Sequence, residues 1–138
     1  MPPEPVAGAV AVVFDDAAAE SLARSLHAAA EALDGLARGT VERATAARRD
    51  WAGISRSWFE AEHDAVVADL RRSARACRGA AEDVRRAARQ AWELQERRNE
   101  EARRDLARRL DHQAAVAAWQ AAVAPAAQPM STTVGGGS

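Results

Sequence analysis

The residues most typical of a reactive centre are Glu60 and His63, which form a Glu-x-x-His pair. Di-iron helical bundles are built from two such pairs and two further glutamates on facing helices. This chain holds a single pair, directly after a predicted turn. We therefore expect a glutamate that caps a helix beside a partly buried histidine, and no metal site.

The other residues with reactive side chains are isolated in the sequence. His27 and His112 have no partners at metal-ligand spacing, and no glycine-rich phosphate loop follows a strand. Cys77 is the single cysteine, and its spacing places it on the apolar side of a helix, where it behaves as a small hydrophobe. We predict no catalytic residues, no cofactor and no enzyme activity.

Composition favours an all-helical chain without a nucleic-acid or membrane partner. Alanine and arginine, both strong helix formers, dominate its 138 residues, and lysine is absent. The 19 basic and 20 acidic residues are mixed along the chain, so no basic patch marks a nucleic-acid or anionic surface. No apolar run is long enough to span a bilayer, so we expect no stable membrane insertion. The apolar stretch 6–14 follows Met-Pro-Pro-Glu-Pro, which lacks the positive start of a secretory leader, so we expect any export to be leaderless.

Apolar spacing predicts a first helix over about 16–48. Asp15 follows Phe14 and has the residue type of an N-cap. Apolar residues then recur at alternating steps of four and three, which is typical of a helix-packing seam. The predicted interface residues of this helix are Leu22, Leu26, Leu33 and Leu36.

A second helix is predicted after a short turn. Ser57 and Glu60 match the capping box that opens a helix. The seam continues for more than thirty residues and includes His63, Ala74 and Ala81. Its predicted interface residues are Phe59, Val66, Leu70 and Val84. Two long amphipathic helices joined by a short turn fold back as an antiparallel hairpin. Because alanine-rich seams bury little area, we expect a partner to cover the apolar surface.

The remainder of the chain divides by composition. We predict an extended lead-in over 1–14, the hairpin over 15–97, a helical extension over 98–124 and a disordered tail over 125–138. The extension either continues the second helix or follows a kink near Asn99, since neither proline nor glycine marks a break. Trp58 is expected to pack over the turn beside Trp51.

Trp51-Ala52-Gly53 lies between the two seams, about thirty-five residues after the first helix begins. In this position it resembles the turn of the small WXG-motif proteins exported by type VII (ESX) secretion systems, over roughly residues 12–97. The resemblance implies hairpins that pair antiparallel into four-helix homodimers or heterodimers. It also implies export without a cleaved leader. A Tyr-x-x-x-Asp/Glu signal after the second helix would act with the partner's Trp-x-Gly turn in recognition by the secretion ATPase. Here Trp92 replaces that tyrosine and Glu96 supplies the acidic residue.

Three functions are compatible with these patterns. The resemblance implies a type VII secretion substrate or co-secreted partner, cytoplasmic before export and then secreted or at the cell surface. Its partner would be a second copy or a paralogous hairpin, with contacts to a larger secreted effector and to the ATPase. The first alternative is an intracellular adaptor or chaperone for a larger effector, which the tryptophan at position 92 favours. The second is a structural coiled coil unrelated to secretion. Trp92 itself has a separate structural alternative, in which it packs at the open end of the hairpin.

Overall fold

A computed structural model describes residues 3–124, which form two helices, α1 (Asp16–Arg48) and α2 (Ile54–Val123). The two long helices pack against each other, as the seams predict. The bounds of α1 agree with the prediction. The predicted disordered tail, 125–138, lies outside the described residues.

The start of α1 is fixed by its predicted cap. The Asp15 side chain accepts a hydrogen bond from the Ala18 amide over 2.9 Å. This bond satisfies one of the amide groups that the first helical turn leaves without a partner. Asp16 adds a second carboxylate at the positive end of the helix dipole.

The start of α2 corrects the predicted capping box. The helix begins at Ile54, so Ser57 lies within its first turn and does not cap it. The Gly53 carbonyl accepts from the amides of Arg56 (3.1 Å) and Ser57 (3.4 Å) instead. Gly53 has a φ of +106°, a conformation that costs a glycine little and closes the turn early enough to start the helix there.

The core of the hairpin also differs from the predicted seam. In α1 the buried residues are four alanines spaced seven apart: Ala23, Ala30, Ala37 and Ala44. The predicted Leu22 and Leu36 lie beside this row and are about half exposed. Small side chains allow two helix backbones to approach closely, so alanines occupy the centre of the contact and the longer leucines flank it.

The packed side of α2 follows the prediction more closely. Ala74 and Ala81 are fully buried and His63 nearly so, as their places in the predicted seam require. Val67 takes the buried place that was predicted for Val66. The shift is again by one residue, toward the centre of the contact between the helices.

α2 continues as one helix past Asn99 to Val123. The described residues nevertheless form two compact units. The first contains Ala11–Gln95 and residues 3–4, and the second contains Pro5–Val10 and residues 96–124. The lead-in is therefore divided between the two units. Within 3–124, no helix has the length and apolar character needed to cross a bilayer.

Candidate functional site

One face of the first unit is charged and carries ion pairs between α1 and α2. Arg78 donates to Asp34 (2.5 Å) and to Glu31 (2.9 Å). Arg85 lies 3.0 Å from the Nε2 atom of His27 and 3.6 Å from Glu20. We call this the ion-paired face of the hairpin.

These contacts stabilise the charged form of Arg78. Its hydrogen bonds to Asp34 and then to Glu31 raise the pKa of the guanidinium above its ordinary value. The Arg78 side chain is 37% exposed, so solvent still screens these pairs and they contribute little to stability. Burying this face against a partner would require removal of the water around it, which is costly for charged groups.

The opposite face of the hairpin is apolar. Near the turn it forms an open groove of about 450 Å³ between Thr40 and Ala47 of α1 and Phe59 and Val66 of α2. Residues seven apart lie on the same side of a helix. On α1, Thr40, Leu33 and Leu26 are spaced seven residues apart and lie on this side of the helix. Leu36 and Leu22, which are fourteen residues apart, form a parallel row beside them. On α2, His63 also lines the groove, and steps of seven from it place Leu70 and Val84 on this side.

We call this surface the apolar face. It is defined by eight large side chains: Leu22, Leu26, Leu33, Leu36, Phe59, Val66, Leu70 and Val84. They are the residues predicted as the interface seam, and helical spacing places them beside the buried alanines. Leu22 is 51% exposed, Leu36 54% and Val66 49%. An isolated exposed leucine is ordinary in a protein surface, whereas a continuous apolar strip is typical of an interaction surface.

Two charged residues mark the turn end of the apolar face. Arg43 and Glu62 both line the groove, one from each helix. Neither forms an ion pair with another described residue. They therefore offer one positive and one negative group to a molecule that covers the groove.

The turn is held by an aromatic contact and by arginine–glutamate contacts. The Trp51 and Phe59 rings lie 5.0 Å apart. Arg56 donates to the Trp51 carbonyl (3.2 Å) and to Glu60 (3.2 Å). Glu60 also attracts Arg48, whose Nε lies 3.1 Å away but is not aligned for a hydrogen bond.

Trp58 does not pack over the turn as predicted. It is 70% exposed, and Phe59 instead supplies the ring that contacts Trp51. Because Ile54 is also largely exposed, the tip of the hairpin carries an apolar pair one helical turn apart.

The residues with reactive side chains on α2 make packing and ion-pair contacts or stand alone. Glu60 contacts two arginines, and the nearly buried His63 stacks on Phe59 with ring centroids 6.0 Å apart. Cys77 is a free, half-buried thiol on α2. Over residues 3–124, no group of three potential ligand side chains could hold a metal ion.

The two residues predicted as an export signal, Trp92 and Glu96, belong to different units. Trp92, in the first unit, is about half exposed and lines a hollow with Asp16, Ala88 and Arg89. Glu96, in the second unit, is partly buried.

Two buried polar residues were missed by the sequence interpretation. Gln95 accepts from the Val12 amide over 2.7 Å in the first unit, and Asn99 accepts from the Val6 amide over 3.1 Å in the second. Asn99 stood out as an amide among charged residues, and this was the signal that could have identified it.

Comparison with known proteins adds no family to these observations. No protein-family model, curated protein or solved structure matches the chain.

Proposed function

We propose that this chain is a type VII secretion substrate or co-secreted partner of the WXG type, which acts by helix packing and not by catalysis. In this proposal the apolar face binds a second helical hairpin, either another copy or a paralogue, and completes a four-helix bundle. The observation that carries the proposal is the apolar face itself, which extends over both helices of a hairpin whose own core is mostly alanine.

The energetics favour a partner on this face. Burial of a leucine contributes about 1.5–3 kcal/mol, so completing the burial of a half-exposed one contributes about 1 kcal/mol. Leu22, Leu36 and Val66 are each half exposed, and their contributions would act together. The ion-paired face has no comparable apolar area, which favours a partner on one side only.

The secretion part of the proposal depends on the turn. Trp51-Ala52-Gly53 lies between α1 and α2, and Gly53 adopts the positive φ that closes the turn. Trp51 is partly exposed, so a secretion ATPase could contact it together with the apolar tip. Trp92 and Glu96 are the proposed export signal, with tryptophan in place of the tyrosine.

Export can be tested in the bacterium that produces the protein. Deletion of its type VII ATPase is expected to remove the protein from the medium while a cytoplasmic marker stays inside the cells. An unchanged amount in the medium would contradict the secretion proposal. It would leave the hairpin pairing to be tested separately.

The signal itself can be tested by substitution in the full chain. Trp92→Tyr is expected to keep export and Trp92→Ala to lower it at least tenfold, because only the first retains an aromatic ring. Trp119→Ala, which removes an exposed tryptophan elsewhere on α2, is the matched control and is expected to leave export unchanged. Equal export of all three variants would exclude Trp92 from the signal.

A further inference from the structure

The second unit contains a buried side-chain amide bound to the backbone of an extended segment. The Oδ1 atom of Asn99 accepts from the Val6 amide over 3.1 Å. Asn99 is 1% exposed and is the largest fully buried side chain in the described part of the chain. A buried amide is costly without hydrogen-bond partners, so this position is built around the group that it binds.

The bound segment, Pro5–Val10, contains a tight turn. The Ala9 amide donates to the Val6 carbonyl over 2.9 Å, which closes a four-residue turn. Gly8 lies within it at a φ of +86°, which favours glycine at this position. A Cβ atom on Gly8 would meet no neighbour within 4 Å, so the restriction is conformational and not steric.

Side chains of α2 contact this segment mainly through its backbone. Arg98 Nη1 lies 3.4 Å from the Val10 carbonyl, a second contact to the main chain. Open hollows on either side of the turn are lined by Ala102 and Asp105 of the helix. The Val10 side chain is 70% exposed, so its burial adds little to binding. Recognition thus depends on the conformation of the turn and on the backbone N–H of Val6. An identical segment in another molecule would have both features.

We propose that the surface of α2 around Asn99 is a peptide-binding site that the chain's own Pro5–Val10 segment fills, and that the same segment of a second copy binds there in exchange. The second copy is the partner because its segment carries the same sequence that donates to Asn99 here. The tethered segment competes at an effective concentration in the millimolar range, so exchange between molecules requires its release. This site is independent of the proposed secretion function.

The test uses full-length chains in which the binding of the chain's own Pro5–Val10 segment is weakened. Val6→Pro removes the donor to Asn99, and Gly8→Val strains the turn; neither changes the helix surface. A fluorescent peptide with the sequence of residues 3–12, Pro-Glu-Pro-Val-Ala-Gly-Ala-Val-Ala-Val, is titrated and followed by anisotropy. We expect it to bind both variants at least tenfold more tightly than the unaltered chain.

Further variants test the role of the amide. In the Val6→Pro background, Asn99→Ala and the similarly sized Asn99→Leu are each expected to weaken peptide binding about tenfold, because both lack the acceptor. Gln90→Ala removes an exposed amide from the same helix and is expected to have no effect. A peptide carrying Gly8→Val is expected to bind about tenfold more weakly.

Two results would overturn the proposal. One is no saturable binding of the peptide to either weakened variant while circular dichroism shows native helix content. The other is unchanged peptide binding by a folded Val6→Pro chain that also carries Asn99→Ala or Asn99→Leu.

Discussion

Individual residues decide where the hairpin turns. Gly53 supplies a positive φ and a carbonyl that accepts from the first amides of α2. Trp51 packs on Phe59, and Arg56 binds the Trp51 carbonyl. The residue types of the Trp-x-Gly sequence therefore have a structural explanation that holds whether or not a secretion ATPase reads them.

Gly53→Ala is expected to lower the free energy of unfolding by about 1–2 kcal/mol, since an L-residue resists this positive φ. The matched control is Gly35→Ala, in the interior of α1, where a new Cβ meets nothing within 4 Å. That control is expected to stabilise the chain by about 1 kcal/mol because alanine favours helix. Urea unfolding followed by circular dichroism measures both. A change of the same sign in the free energy of unfolding of the two variants would contradict this explanation of the turn.

At the level of elements, the sequence was sufficient to predict the two helices and much of their packing. Asp15 and the spacing of apolar residues placed α1 correctly, and α2 was predicted with its start four residues late. The capping-box match at Ser57 was misleading because the conformation of Gly53 starts the helix earlier. Backbone conformation at a single glycine is not encoded in a residue pattern.

The sequence placed the seam of α1 one residue away from its centre. Leucines and alanines form adjacent rows along the helix, and apolar area alone favours the leucines. The structure places alanines at the centre because close approach of the two backbones outweighs the larger area of single leucines. Which of two adjacent apolar rows faces the other helix depends on both helices together, so a pattern read along one helix does not settle it.

This packing predicts a strong effect of size at the centre of the seam. Ala37→Leu is expected to destabilise the hairpin by about 1–3 kcal/mol, because the extra atoms force the helices apart. Ala28→Leu, at an exposed position on the same helix, is expected to change stability by less than about 0.5 kcal/mol. Thermal unfolding of the two full-length variants makes the comparison. Equal losses would mean that the alanine row is not the centre of the contact.

At the scale of the molecule, the two faces of the first unit differ in what can cover them. Ion pairs across α1 and α2 lie on one face, and the apolar face leaves large side chains half exposed. Arg43 and Glu62 add unpaired opposite charges at the turn end of that face, which a partner can match. The account therefore predicts one preferred side for a partner hairpin.

Photo-cross-linking in the cells that produce the protein tests that prediction most directly. A photoreactive amino acid replaces Leu36, on the apolar face, or Arg38, an exposed residue two positions along α1 that points away from it. The account predicts an adduct from position 36 whose mass spectrum identifies a second copy or another helical hairpin, and little or none from position 38. Equal adducts from the two positions, or none from position 36, would contradict it.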